Sequence, residues 1–213
     1  MEDRWLARAK RLHALADTGL HFSSDAFDRE RYQELREMAD AMLADLGDVP
    51  LSRISDLIAP HAGGYATPSI DVRGAVIEDR RILLVQEKAD GHWSLPGGFA
   101  DIGHSASENV MREIAEESGL TVNATQLYAL RHKAKHPYPP DVRDFYKLFF
   151  LCHRSNPDDK VPPAPGPETL NAAFFAYDQL PRLSHDRVLR RDIDAAFTAY
   201  DENLANRHFT VFD

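Results

Sequence analysis

Near the start of the chain, apolar residues recur at helical spacing. Trp5, Leu6, Ala9, Leu12, Leu15 and Ala16 predict a first helix, with Gly19 as its C-terminal stop. A second helix is expected from Asp28 to Leu46, where Tyr32, Leu35, Met38, Ala39, Met42, Leu43 and Leu46 form a stripe and Gly47 ends it. A short third helix is expected from Leu51 to Ile58. These helices form a small N-terminal domain over residues 1–60. The Gly- and Pro-containing stretch at 61–68 reads as a linker.

From Ile70 the pattern changes to short β-type runs. Val72 to Ile77 and Ile82 to Val85 flank the turn Glu78-Asp79-Arg80. Further strands are expected at Thr121 to Arg131, Phe145 to His153 and Ala172 to Tyr177. Two Pro-rich loops, Lys135 to Arg143 and Ser155 to Pro167, separate them. Helices are expected from Ser105 to Ser118, stopped by Gly119, and from Arg187 to Asn203. Strands interspersed with helices over 69–213 imply an α+β or α/β/α second domain.

Composition narrows the function. The chain has 213 residues and a net charge of −9. High affinity for duplex DNA comes mainly from Lys and Arg on phosphates, so DNA is not expected as a partner. Small phosphorylated substrates remain compatible, because carboxylates can recruit a cation that attracts phosphate. The single cysteine, Cys152, lies in an apolar run and reads as a small core residue. An intramolecular disulfide is impossible, no secretory or membrane-spanning segment is evident, and a cytoplasmic protein is expected.

The most informative segment is Arg112-Glu113-Ile114-Ala115-Glu116-Glu117-Ser118-Gly119-Leu120. On a helix, Glu113, Glu116 and Glu117 stand at i, i+3 and i+4 and share a face. Like charges at that spacing repel, and a hard divalent cation removes the penalty. Just upstream, Trp93-Ser94-Leu95-Pro96-Gly97-Gly98-Phe99 reads as a rigid loop whose glycines admit a ligand close to the backbone.

This segment resembles the Nudix box, G-x5-E-x7-R-E-U-x-E-E-x-G-U, where U is a bulky aliphatic residue. Gly98, Arg112, Glu113, Ile114, Glu116, Glu117, Gly119 and Leu120 fill eight of the nine specified positions. The exception is His104, where the family has glutamate. That glutamate commonly interacts with the box arginine, and an imidazole cannot copy it. Glu108, four residues before Arg112, is the expected substitute partner. The resemblance implies a Nudix α/β/α sandwich with a mixed sheet.

The resemblance extends over residues 3–200. Trp5-Leu6, Thr18-Gly19-Leu20 and Phe27 to Tyr32 are similar to the helical N-terminal domain of one Nudix subgroup. Tyr146 to Phe150, Glu168-Thr169, Phe174-Phe175 and Leu180 to Ser184 agree with it. The subgroup includes CDP-choline and ADP-ribose pyrophosphatases, and it implies a homodimer. The implied activity is metal-dependent cleavage of the pyrophosphate bond in a nucleoside diphosphate linked to another group. CDP-choline would give CMP and phosphocholine; ADP-ribose would give AMP and ribose 5-phosphate.

The implied metal is Mg²⁺ or Mn²⁺, held by Glu113, Glu116, Glu117 and the Gly97 carbonyl. Arg112 would orient the glutamates. The general base would be a box glutamate or Glu168 from the loop before a strand. Arg73, His132, Lys133 and His136 are candidate substrate contacts, with ordinary salt bridges or solvated loop positions as the alternatives. Lys135 belongs to the same basic cluster. Phe22, Tyr32 and Trp93 could stack on a base or simply fill a core. Two other functions stay open: the departure at His104 fits an attenuated domain that senses a nucleotide, and the subgroup resemblance leaves room for action on RNA 5′ ends or short single strands. The charge of −9 argues against the last.

Overall fold

A computed structural model describes residues 2–57, 66–205 and 207–213. Most of the expected linker at 61–68, and Ile58 of the third helix, lie outside the described residues. The chain divides into two compact units, one of residues 1–69 and 133–145, the other of residues 70–132 and 146–213. A single boundary near 61–68 does not anticipate the return of residues 133–145 to the first unit.

The first unit contains α1 (Arg4–Phe22), α2 (Ala26–Gly47) and α3 (Leu51–Leu57). Asp3 caps α1 by accepting from the Trp5 N–H, and Asp25 caps α2 by accepting from the Asp28 N–H. Leu6, Ala9, Leu43, Ala44, Ile54 and Val142 form the core. Gly19 does not stop α1, which runs on to Phe22. A Cβ there would lie 2.4 Å from the Tyr32 ring, so the glycine serves a close helix approach. That accounts for a residue otherwise unfavourable inside a helix. The expected stripe on α1 also splits: Leu6, Ala9 and Ala16 are buried, whereas Trp5, Leu12 and Leu15 are exposed.

The second unit is built on β1 (Ser69–Glu78), β2 (Arg81–Glu87), β3 (Trp93–Ser94), β4 (Val122–His132), β5 (Phe145–Arg154) and β6 (Thr169–Ala176). The sheet order is β3-β2-β1-β5-β4, and β6 pairs antiparallel with β2. Asp79 and Arg80 take positive φ between β1 and β2, which turns the chain tightly into the hairpin. Two helices complete the unit, α4 (Ala106–Ser118) and α5 (Arg190–Leu204).

Alternation along the strands sends side chains to both faces. Val72, Val76 and Leu83 join Val110 and Ile114 of α4. Ala75, Ile77, Ile82 and Leu84 join Ile193, Ala196 and Phe197 of α5. The result is the expected α/β/α sandwich. Cys152 is buried in the core on the α4 side, and burial pushes its thiol up to about 12. The final residues lie along β4: the Leu130 N–H donates to the Val211 carbonyl, and the Val211 N–H to the Tyr128 carbonyl.

Candidate active site

Ser105 begins α4 with a reciprocal cap. Its side chain accepts from the Glu108 N–H, and its own N–H donates to Glu108. Glu108 is therefore committed to the helix start and does not pair with Arg112 as expected. Gly119, at φ 71°, ends the helix in the left-handed conformation. Gly74 of β1 lets α4 sit close to the sheet, since a Cβ there would come 2.4 Å from Ile114 Cδ1.

The three glutamates have different environments. Glu117 is 6% exposed, and its Oε2 accepts the Gly97 N–H at 2.9 Å. Burial pushes its pKa up to about 7, against the nearby Arg73 charge and the Gly97 N–H, with Glu87 and Glu113 adding to the rise. Glu113 is half-buried beside Gly98, where an added Cβ would lie 3.1 Å from its carboxylate. Burial and the neighbouring Glu116 raise its pKa, and Glu168 contributes in the same direction. Glu116 is exposed.

The backbone of the preceding loop is held in register with β1. Pro96 and Gly98 carbonyls accept the Gly74 and Val72 N–H groups at 2.9 and 2.8 Å. Between them, Gly97 adopts φ 143°, and a Cβ would fall 2.0 Å from the Val72 carbonyl oxygen. This position turns the Gly97 N–H toward Glu117 while the flanking peptides remain part of the sheet. Trp93, expected in the loop, instead belongs to β3 and packs edge-on against Phe175 at 4.7 Å.

At its other end, α4 is fastened by the Pro-rich loop. Ala164 N–H donates to the Ser118 carbonyl at 2.9 Å. The Thr169 hydroxyl and the Gly166 N–H donate to the Glu117 carbonyl at 2.9 and 3.3 Å. Helix ends carry carbonyls without intrahelical partners, and this loop satisfies two of them. Gly166 is required for the approach, because a Cβ would sit 1.6 Å from the Glu116 carbonyl oxygen. Glu168 follows directly, exposed, within electrostatic range of Glu113.

Arg112 finds a partner that the helical spacing did not indicate. Its Nη2 lies 2.6 Å from Asp101 Oδ2, 3.6 Å from Glu113 and 3.8 Å, through Nε, from Glu116. Arg73 is buried and clamped by both carboxylate oxygens of Asp71, at 2.9 and 3.0 Å. Buried Lys147 holds the same Asp71 at 3.0 Å. Burial opposes the charge of Asp71, yet Arg73 and Lys147 outweigh it and hold its pKa below the ordinary range. Arg73 thus stands near Glu117 as a fixed countercharge. Sequence reasoning missed Asp71, Lys147, Asp101 and Glu87. Lys147 and Glu87 lie far in sequence from their partners Asp71 and Arg187, and Asp101 lies within a loop, so spacing carries no signal for them. Asp71 stands two residues from Arg73 on β1, at the spacing that puts both on one face of the strand.

The basic cluster divides. His132 ends β4 in the second unit, where its N–H donates to Asp213. Lys133 and His136 belong to the first unit. Lys133 is buried and bonded to Asp141 at 2.7 Å. Lys135 is exposed. Tyr32 lies against Gly19, and Phe22 is exposed.

Among the described residues, no three His, Cys, Asp or Glu side chains stand closed around one point as a bound metal would require. The chemistry of the donors nevertheless fits a hard divalent cation. Glu113 and Glu117 are acids whose pKa values burial and neighbouring carboxylates have raised, and a cation would relieve both effects.

Comparison with known proteins agrees with this geometry. Residues 68–196 match the NUDIX domain, and residues 3–58 match the UDP-X-like, N-terminal oligomerisation domain. The chain belongs to the Nudix family and is a Nudix hydrolase. Members of the family generally use divalent metal cations. The chain is 45% identical over 187 residues to YjhB of Bacillus subtilis, a candidate ADP-ribose pyrophosphatase, covering 88% of each chain. It is 29% identical over 135 residues to an ADP-ribose pyrophosphatase of Methanocaldococcus jannaschii, covering 59% of this chain and 73% of that one. A solved UDP-X diphosphatase is 32% identical, with 98% of each chain covered and a TM-score of 0.61. An ADP-ribose pyrophosphatase from Streptococcus suis is 34% identical, with 69% of this chain and all of that one covered and a TM-score of 0.59.

Proposed function

We propose that the protein hydrolyses the pyrophosphate bond of a nucleoside diphosphate linked to a second group, with ADP-ribose as the leading substrate. The observation that carries this reading is the buried Glu117 hydrogen-bonded to the Gly97 N–H, with Glu113 packed beside Gly98. The 45% identity to YjhB favours ADP-ribose, and CDP-choline and UDP-linked compounds are the other members of the class to test. The products from ADP-ribose are AMP and ribose 5-phosphate.

Glu113, Glu116 and Glu117 would hold Mg²⁺ or Mn²⁺, together with the Gly97 carbonyl. When bound, the cation supplies charge neutralisation on the diphosphate and a lowered pKa for water. Arg112 balances Glu113 and Glu116, and Arg73 balances Glu117 and Glu113. Glu168 is the proton acceptor for the attacking water, presented by a loop that is itself bonded to the end of α4. His132 and His136 are held as secondary candidates for substrate contact. Arg73 is committed to Asp71, so its contribution is electrostatic rather than direct, and Lys133 is committed to Asp141.

The exposed apolar face of the helical unit supports a homodimer. Trp5 and Leu15 of α1 and Met38 of α2 are 48%, 47% and 53% exposed, in a segment that matches an oligomerisation domain.

The test is a substrate panel of ADP-ribose, CDP-choline and a UDP-sugar with Mg²⁺ or Mn²⁺, products identified by mass. Cleavage of ADP-ribose is expected, together with a loss of at least about a hundredfold in kcat for Glu117→Gln, beyond the range for residues that only support a ligand. Absence of turnover on every compound, or an unaffected Glu117→Gln, overturns the reading.

A further inference from the structure

We infer that Asp101 is a positioning residue that sets Arg112 against Glu113 and Glu116, and that it supplies the carboxylate that position 104 lacks. The inference rests on the proposed hydrolase reading and extends it to a loop outside the glutamate helix.

The geometry is specific. Arg112 Nη2 lies 2.6 Å from Asp101 Oδ2, the shortest of the three carboxylate approaches to this guanidinium. Its Nε is buried and has no hydrogen-bond partner, although Glu116 stands 3.8 Å away. The guanidinium is therefore anchored through Nη2 on Asp101, with Nη2 also 3.6 Å from Glu113 and Nε 3.8 Å from Glu116.

Asp101 is itself held by a buried residue. Asn109, on the first turns of α4, is fully buried. Its Oδ1 accepts the Asp101 N–H at 2.9 Å. Its Nδ2 donates to the carbonyls of Asp101, His104 and Ser105 at 3.4, 3.4 and 3.1 Å. One amide thus pins the whole turn from 101 to 105 to the helix. Both its donor and its acceptor sides are used, as a buried amide requires. The turn cannot shift Asp101 away from Arg112 without breaking these bonds.

Glu108, the nearest acid on the helix, is committed to the Ser105 cap. Asp101 is thus the acid outside the glutamate face that engages Arg112, and His104 imposes no vacancy on this protein. Replacing the histidine with glutamate in the natural background would offer a further carboxylate to a guanidinium already anchored by Asp101.

A rescue experiment decides the matter. Four variants are compared with wild type: Asp101→Asn, Asp101→Glu, His104→Glu and the Asp101→Asn/His104→Glu pair. Each is measured for kcat and KM on ADP-ribose, for Mn²⁺ affinity by electron paramagnetic resonance without substrate, and for Tm. Residues that orient metal-site groups typically contribute about tenfold to a hundredfold, and Asp101→Asn is expected to lose about tenfold in kcat and Mn²⁺ affinity. KM and Tm should move little, and Asp101→Glu should retain most activity. His104→Glu should change wild type little yet restore most of the loss in the Asp101→Asn background, a coupling that independent sites do not show.

The inference is overturned if Asp101→Asn matches wild type in both kcat and Mn²⁺ affinity. It is also overturned if His104→Glu has the same effect in both backgrounds, or if the loss tracks a fall in Tm without rescue. Should wild type cleave nothing on the panel, the hydrolase reading fails by itself. The Mn²⁺ measurements then decide the role of Asp101 independently.

Discussion

The two units solve the burial of apolar surface differently. In the second unit, β1 and β2 are buried along nearly their whole length, because α4 covers one face of the sheet and α5 the other. In the first unit, α1 and α2 bury Leu6, Ala9 and Leu43 but leave Trp5, Leu12, Leu15, Leu35 and Met38 exposed. The sandwich closes its own core. Among the described residues the helical pair leaves these apolar side chains exposed, and large exposed apolar patches mark interaction sites. The proposed chemistry lies on the self-sufficient unit, where α4 is fixed at both ends, and the proposed association on the other.

Three experiments break or sharpen that contrast. The largest effect is expected from Gly74→Val, which forces side-chain atoms into Ile114 and Val110 beneath the glutamate helix. Overpacking of this kind costs about 1–3 kcal/mol, and urea unfolding should read a loss in that range. An unchanged midpoint would mean that α4 is less tightly docked than the sheet geometry requires.

A smaller effect on stability, but a clear one on mass, is expected from Leu12→Glu with Leu15→Glu. Sedimentation should show the dimer converted to monomer, while ADP-ribose turnover by the sandwich responds less than association does. A dimer that persists through both changes would remove the exposed stripe as the contact surface.

The smallest effect concerns pH. Burial works to raise the Asp141 pKa, but Arg143 and Lys133 hold it well below the ordinary 3.8. A carboxylate depressed on folding stabilises fully above its unfolded value, and that stabilisation fades as pH falls toward the folded one. Wild type should therefore lose stability more steeply below about pH 4 than Asp141→Asn does, by the same linkage. Parallel stability curves for the two proteins would remove Asp141 from the acid response of the first unit.

Much of this was legible in the chain. The turn at Asp79-Arg80, the glutamate helix with its Gly119 stop, and the strands on either side follow from period and turn chemistry. What escaped has physical reasons. β3 has only two residues, too few for alternation to register. Helical spacing identifies the stripe of Trp5, Leu12 and Leu15 but does not distinguish buried apolar positions from exposed ones. Gly19 looked like a stop because a glycine that admits an aromatic ring has the same local signature. The helix-based choice of Glu108 for Arg112 failed because the helix cap had the stronger claim on that side chain. Asp101, eleven residues before Arg112, comes within its reach because Asn109 folds the intervening turn back onto α4, a contact that local spacing does not encode.

Gly97 has a consequence for variation in this protein. Its φ of 143° and the 2.0 Å separation between a would-be Cβ and the Val72 oxygen exclude every side chain, the smallest included. In a library covering every single replacement, position 97 should be empty among functional clones. A residue with no side-chain chemistry of its own would then rank with the glutamates as intolerant of change. Reading such a map as a list of reacting groups would mistake a steric requirement for a chemical one.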